Sequence, residues 1–532
     1  MRLEKILLDH CERTPDKIAL VCGDRSLSFG DLGRSIRSVA NGLLARGVGS
    51  GDRVVLYLPN GIELVEALFA CFAVGAMAVP VTTRLTFKEL AYFCDDSAAR
   101  IVVCDSEQAE GVAEIVAARP ALGGVETGPA RPGLEAFDAL RGPDAPLPAI
   151  ALENDEGMVM YTSGTTGRPK GVVLTHANIL IQHGFMNGVE WRIGADDRYL
   201  VVTPMAHRSG LGRLMNATML GGTLYIFRTF DADRVVDTID AAGVTVFGMV
   251  PTVCRMIMPA LEKAPERCRS LKRIVVTGEA FPVPLKERLI ELLPWVELVS
   301  FFGMTEAGCV TNLSQTEQFT HPSSVGRAAP GVEVRVADPE TGEERATGDV
   351  GELLVRCGRP GAFTIMKEYL NRPEATAEAL RDGWFHTGDM ATRDEDGYLY
   401  IVDRKKDMIL SGGFNIYSKE VELVIAAIPG VIDVAVVGVP DPIYGEAVAA
   451  FVEIEDGADG PSPEAIIAHC RETIASYKKP KFVFYRNELP RNAVGKILKQ
   501  DLATLARQEL EARGDLTARD APARAAVSGG AA

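Results

Sequence analysis

The chain has 532 residues, 47% of them apolar and 24% charged, and a formal net charge of −16. This length calls for two domains or more, and the composition is that of a soluble globular protein. The acidic balance excludes the basic footprint of a nucleic-acid binder but leaves room for local basic pockets.

The first residues, Met1 to Lys5, run quickly into charge and lack the apolar region of a secretory leader. Ser26–Leu32 reads as a strand followed by a helix start, Asp52–Leu58 as a strand and Gly61–Val74 as a helix. The most apolar stretch, Ala67–Val79, is too short to span a bilayer and ends at Pro80, so no transmembrane segment and a cytoplasmic location are expected. Ala78–Val81 and Arg100–Cys104 read as strands flanking a helix at Thr86–Asp96, with Thr86 as its N-cap. Ala117–Ala149 is rich in Ala, Gly and Pro and reads as a loop with little core. Strands resume at Arg198–Val202, Thr223–Phe227, Val244–Val250, Arg273–Thr277 and Glu297–Ser300. Strands alternating with helices predict parallel sheets covered on both faces. After Pro330, short strands with Gly turns (Val332–Val336, Gly351–Arg356, Tyr398–Val402) suggest a small β subdomain. A compact second α/β unit follows: helix Lys419–Ala427, strands Val431–Val439 and Ala447–Ile454, helix Pro463–Ser476 and strand Lys481–Tyr485. From about Asp515 the Ala/Arg/Gly-rich tail is expected to be disordered. The ten cysteines are scattered with no C-x-x-C, which favours free buried thiols over a zinc or redox site.

The richest chemistry lies in Tyr161–Val172, Y-T-S-G-T-T-G-R-P-K-G-V. Thr162, Ser163, Thr165 and Thr166 offer hydroxyl donors. Gly164 and Gly167 let backbone N–H groups approach phosphate oxygens, and Lys170 adds positive charge. The common P-loop needs G-x-x-x-x-G-K-[ST]; here the two glycines are three apart and Lys170 precedes Gly171. The stretch instead resembles the phosphate loop of the adenylate-forming superfamily, which includes acyl-CoA synthetases (AMP-dependent acid–CoA ligases), firefly luciferase and nonribosomal adenylation domains. At least five motifs between Ser26 and Lys496 agree with it in order.

The resemblance implies an α/β fold: a large N-terminal domain (1–402) with parallel-rich sheets and a small β subdomain, a hinge at 403–407, and a mobile, smaller α+β C-terminal domain (408–514) before the 515–532 tail. It implies ATP binding by Thr162 through Gly167 and Lys170. Thr277–Pro282 (T-G-E-A-F-P) would bring Gly278, Glu279, Ala280 and Phe281 beside the adenine and the acyl pocket. Ser300 and Phe301–Glu306 (F-F-G-M-T-E) would add Phe301, Phe302, Gly303 and Thr305. Phe302 stands where the family usually has Tyr, so stacking on adenine survives and a hydroxyl is lost. Glu306 and Thr162 would hold Mg²⁺ through hard oxygen ligands. Gly383–Asp389 (G-W-F-H-T-G-D) would place Asp389 on both ribose hydroxyls. Arg404 would contact ribose and phosphate, and Lys406 would sit at the pivot. Pro490–Lys496 (P-R-N-A-V-G-K) resembles the C-terminal catalytic loop, in which Lys496 bridges the substrate carboxylate and the α-phosphate. Ser411, Gly412 and Gly413 match the segment lining the thiol tunnel for CoA.

The acid pocket is less legible. Pro204-Met205-Ala206-His207 matches a segment in which His207 gates the carboxylate. Val250 and Phe281 offer apolar surface suited to an aliphatic or aromatic acid. Arg208 reads first as a solvated or salt-bridged charge, and alternatively as a ligand for a second carboxylate or other polar group on the acid. No Asp lies near Arg208–Gly210, which disfavours an amino acid. The implied reaction joins a carboxylic acid to ATP, giving acyl-AMP and pyrophosphate, and then forms a thioester with CoA; Lys496, His207, Thr162 and Glu306 are its candidate catalytic residues. Alternatives are a stand-alone adenylating enzyme serving an acyl carrier protein or an amine, and a non-catalytic ATP- or acyl-binding sensor. A role in fatty acid metabolism, as a monomer or homodimer, is also expected.

Overall fold

The computed structural model describes residues 1–151, 153–162, 169–278, 281–454, 460–491 and 497–515. The chain divides into two compact units, one of residues 1–335, 354–386 and 394–400, the other of 336–353, 387–393 and 401 onward. The second unit thus starts two residues before the boundary read from the sequence. It also takes in two segments that the sequence assigns to the first domain.

The first unit holds two parallel-rich sheets. In one, Arg198–Val201 is flanked by Thr223–Ile226 and Val246–Met249, and the parallel run continues through Arg273–Val276 to Glu297–Met304. Gly308–Leu313 then adds in antiparallel fashion, and Arg327–Ala328 forms that edge beyond it. In the other, Arg53–Tyr57 lies between Met77–Pro80 and Ile101–Cys104, and Met77–Pro80 also pairs with Glu156–Thr162. The strand Lys170–Thr175 turns back antiparallel on Glu156–Thr162. The strands Met77–Pro80, Ile101–Cys104, Val246–Met249 and Arg273–Val276 are buried along their whole length, as parallel strands covered on both faces are. Each fully buried Val, Leu, Ile or Phe contributes about 1.5–3 kcal/mol, which makes these sheets a stiff frame for the loops at their ends. The helix Phe87–Asp96 starts where expected, with Thr86 and Glu89 forming a reciprocal capping box.

The expectation for Ala117–Ala149 is corrected. Strands Gly123–Glu126 and Glu135–Ala136 extend the sheet, a helical turn follows at Phe137–Leu140, and Val125, Leu134, Phe137 and Leu140 are buried. The helix Phe29–Ala45 lets this segment come close. A Cβ on Gly42 would sit 1.4 Å from the Leu140 carbonyl oxygen, so only glycine fits.

In the second unit, Asp433–Asp441 and Gly445–Glu453 form an antiparallel pair, and Phe482–Arg486 adds in parallel. The helices Ser418–Ala426 and Pro463–Thr473 supply buried apolar residues to one core cluster, and Lys499–Arg513 to another. All ten cysteines are free, and nine are buried. Among the described residues, no helix is long and apolar enough to cross a membrane.

Candidate active site

The phosphate-loop motif spans the turn of an antiparallel hairpin. Thr162 and Lys170 face each other across its base, where Glu156–Thr162 gives way to Lys170–Thr175. Ser163, Gly164, Thr165, Thr166 and Gly167 lie outside the described residues, as do Glu279, Ala280 and Lys496. At the hairpin base, the Thr162 hydroxyl is 3.5 Å from Glu306 Oε1. Tyr369 donates its hydroxyl to the same carboxylate oxygen at 3.0 Å. The Lys170 ammonium stands 5.0 Å from the centre of the Tyr369 ring, a cation–π contact worth about 0.5–1 kcal/mol at an exposed site. Backbone bonds lock the arrangement: Met366 N–H donates to Glu306 O, and Leu370 N–H to Gly171 O. Tyr369 was not found by sequence reasoning, because a tyrosine in K-E-Y-L-N carries no spacing signal.

The other predicted residues of this unit follow the C-terminal ends of parallel strands, where open α/β sheets bind ligands. Val250 follows Val246–Met249, and Gly278 follows Arg273–Val276. Gly278 has φ +98°, and a Cβ on it would meet Val250 Cγ1 at 3.2 Å, so these two positions touch. The Ser300 hydroxyl accepts from Gln318 Nε2 at 3.0 Å. The Phe301 carbonyl accepts from Thr277 Oγ1 at 3.1 Å. The strand read as Glu297–Ser300 runs on to Met304, so Phe301, Phe302 and Gly303 belong to it, and the pairing slips after Phe302. Thr305 and Glu306 form the following turn. Phe281 packs on the apolar cluster behind the strands, with the buried Lys286 ammonium 5.7 Å from its ring.

His207 is the N-cap of the helix Arg208–Leu220. The loop that presents it is held by Asn60, which donates to Thr203 O and Phe227 O and accepts from Met205 N at 2.7 Å. Asn60 also escaped the sequence reading, since Pro59-Asn60-Gly61 looks like an ordinary turn. Gly210 permits the tight entry: a Cβ there would lie 2.3 Å from Pro204 O.

Arg208, read from the sequence first as a solvated or salt-bridged charge, is half-buried. Its Nη2 donates to Gln182 Oε1 at 2.7 Å, and its Nη1 is shielded from solvent. Burial pushes its pKa down to about 10, against an opposing pull from the Glu306 carboxylate.

In the second unit, the buried Asp389 meets Arg404 Nε at 2.7 Å. Thr387 Oγ1 accepts from the Asp389 N–H at 3.0 Å, and Glu352 accepts from the Gly388 N–H and from Lys405 Nζ. Asp403 accepts from Arg404 N and Ser418 Oγ, which ties the expected hinge to the start of the Ser418–Ala426 helix. Lys406 is exposed in the intervening turn. Ser411 ends the strand Ile409–Ser411, and Gly412 and Gly413 form the two-residue turn to Phe414–Ile416, with φ of +58° and +83°. Both positions are left-handed, a geometry that Gly or Asn supplies in a two-residue hairpin turn. Arg491 and Ile497, on either side of the segment that carries Lys496, form a bridge, and Arg491 is anchored on Asp433 at 2.7 Å.

Comparison with known proteins agrees with this geometry. Residues 7–370 match the AMP-binding enzyme family, and residues 420–496 match the AMP-binding enzyme C-terminal domain. The chain is 39% identical to a feruloyl-CoA synthase of Amycolatopsis sp over 92% of its length and 96% of that protein's. It is 35% identical to a long-chain-fatty-acid–CoA ligase of Mycobacterium tuberculosis, covering 90% and 92%. Among solved structures it resembles the o-succinylbenzoate CoA synthetase of Bacillus subtilis in complex with its acyl-adenylate intermediate. There the TM-score is 0.83 at 29% identity, covering 93% of this chain and 97% of that one.

Proposed function

The chain belongs to the AMP-binding enzyme family of the adenylate-forming superfamily, and from that premise we propose how its own residues carry the reaction. It is an AMP-forming acid–CoA ligase that uses ATP, Mg²⁺ and CoA. It converts a carboxylic acid and ATP to acyl-AMP and pyrophosphate, and then transfers the acyl group to the CoA thiol. The observation that carries our assignment of roles is the Glu306 carboxylate, fixed by the Tyr369 hydroxyl within reach of Thr162 at the phosphate hairpin.

A carboxylate and a hydroxyl are hard oxygen donors and suit Mg²⁺. When bound, that ion neutralises charge on the polyphosphate. Glu306 and Thr162 would hold it. Lys170 and the loop hydroxyls would bind phosphate oxygens, and Asp389 with Arg404 would bind the ribose. The substrate carboxylate and the α-phosphate repel each other by about 4 kcal/mol at 4 Å and an effective dielectric of 20. Lys496 would offset that repulsion as the two approach, and His207 would gate the carboxylate. Ser411, Gly412 and Gly413 would border the thiol path, and Lys406 would be the pivot between half-reactions.

The acid is aliphatic or aromatic in this reading. Contact between Val250 and Gly278 gives its pocket an apolar wall, and the similar proteins named for ferulate and for long-chain fatty acids represent both classes. A cytoplasmic location and a place in fatty acid metabolism go with it, as does action as a monomer or homodimer.

The test is pyrophosphate release from ATP and Mg²⁺ against a panel of acids, with and without CoA. The expected result is CoA-dependent turnover with an acyl-CoA product. Pyrophosphate release without CoA turnover would move the acceptor to a carrier protein or an amine. Silence with every acid would favour a non-catalytic nucleotide binder.

A further inference from the structure

A cluster of buried donors lies behind the acid loop, on the first unit's own elements. The π-helical turn Leu180–Met186 contributes Gln182 and His183, and the helix Arg208–Leu220 contributes Arg208, Arg213 and Asn216. Trp191 completes it, with its ring under the Arg213 guanidinium at 5.1 Å and 5.5 Å from Phe301. π-turns inside helices concentrate at functional sites.

Among the described residues, five donor atoms of this cluster are buried without a hydrogen-bond partner: Arg208 Nη1, Arg213 Nε and Nη1, His183 Nε2 and Trp191 Nε1. His183 counts as a donor at Nε2 because its Nδ1 faces the Asn187 amide nitrogen at 3.2 Å. Asn216 Oδ1 is the one acceptor of the cluster that is likewise buried and unpartnered among the described residues. Arg213 is only 3% exposed. Arg213 is buried and Arg208 half-buried, and among the described residues Gln182, a neutral carboxamide, is the hydrogen-bond partner of the pair. Burial, together with both charges, pushes the His183 pKa well below the usual imidazole value. Buried charges are normally paired, so this arrangement is complementary to an anion rich in acceptors.

Glycines let these side chains pack close to the backbone. A Cβ on Gly248 would meet Arg213 Cδ at 2.5 Å, and one on Gly308 would meet Gln182 Oε1 at 2.4 Å and Arg208 Nη2 at 3.1 Å. Gly308 closes the hairpin that carries Glu306, and Arg208 directly follows His207. The cluster thus borders the site assigned to the acid.

We propose that this cluster receives a second carboxylate, carried by the acid at the end remote from the reacting group, so that the preferred substrates are dicarboxylic acids with an apolar middle. The proposal rests on the ligase reading given above. Arg208 and Arg213 act as specificity residues in it: they hold the distal carboxylate and take no part in bond making.

The experiment compares length-matched acids, hexanoate with adipate, octanoate with suberate and benzoate with isophthalate, by kcat/KM for acyl-CoA formation. The unmodified enzyme should prefer at least one diacid over its partner by about tenfold or more, since a site with unpaired polar groups rejects an analogue that leaves them unpaired. In Arg208→Gln and Arg213→Met that ratio should fall toward one. The ratio is taken within each enzyme, so a general loss of activity cancels. Equal use of mono- and diacids by the unmodified enzyme overturns the proposal while leaving the ligase reading intact. If no acid gives acyl-CoA, the ligase reading fails, and thermal stabilisation of the unmodified protein by the same diacids, lost in Arg208→Gln, decides the site separately. Stabilisation by chloride alone, with no response to diacids, would make the cluster a structural anion site and overturn the proposal.

Discussion

Tyr369 donates its hydroxyl to Glu306 Oε1 at 3.0 Å while its ring carries Lys170 at 5.0 Å. One side chain thus fixes the carboxylate assigned to Mg²⁺ and the ammonium assigned to phosphate. Tyr369→Phe keeps the ring and removes only the donor. A hydrogen bond to a charged group is worth about 1.5–3 kcal/mol, so kcat/KM for ATP should fall by about 10- to 100-fold. The required Mg²⁺ concentration should rise. Titrating pyrophosphate release with Mg²⁺ checks this, and an unchanged Mg²⁺ profile would remove Tyr369 from the site.

Asp389 is buried, whereas the Arg404 side chain that it meets is 48% exposed. Asp389→Asn removes the buried charge and leaves an arginine that water can solvate. Unfolding stability should therefore change by less than about 1 kcal/mol. The KM for ATP should rise by about tenfold, from loss of a charge-assisted hydrogen bond to ribose. Denaturant unfolding and ATP kinetics on the same variant separate the two. A large loss of stability with an unchanged KM would make Asp389 structural.

Asn60 makes three hydrogen bonds, two of them buried, to the loop that leads to His207 and to its neighbour at Phe227. Asn60→Ala should cost about 3 kcal/mol, at about 1 kcal/mol per bond. Because the loop ends at His207, KM for the acid should rise more than KM for ATP. Equal effects on both would refute the positioning role.

His176 is buried, its ring edge against Phe72 and its Nδ1 3.3 Å from the Leu3 N–H. Burial depresses its pKa to about 3. Between that value and the unfolded value near 6.5 the unfolded chain binds the extra proton, so stability falls as pH falls below 6.5. By pH 5 the loss should be about 2 kcal/mol relative to pH 7. His176→Phe should lack this component, and parallel unfolding curves for the two proteins across pH 5–7 would contradict it.

Gly412 has φ +58°, a value that Asn tolerates in a two-residue hairpin. Its added Cβ would press on Tyr444 Cδ1 at 3.2 Å, and that ring is exposed and able to give. Gly412→Asn should therefore fold, release pyrophosphate at a near-normal rate and form the CoA thioester several-fold more slowly. Equal loss of both half-reactions would place the turn outside the thiol path.

The local features of this protein were legible because their causes act within a few residues. Apolar runs bounded by turns marked the strands, Thr86 and Glu89 marked a helix start, and hydroxyls with glycines and a lysine marked the phosphate hairpin. Where short elements gain order from a distant partner, local pattern failed. Leu134, Phe137 and Leu140 are buried in a stretch whose composition reads as loop, because this stretch packs against the helix Phe29–Ala45 at Gly42.

By itself, then, the sequence determined the fold class, the motif order and the adenylate-forming chemistry. The tertiary structure alone decided that Tyr369 meets Glu306 across 63 residues of chain and that Asn60 steadies the His207 loop from 145 residues away. It also made Arg208 a half-buried charge held on Gln182. Whether a charge is solvated or buried depends on the walls that folding brings around it, and no spacing rule along the chain contains those walls.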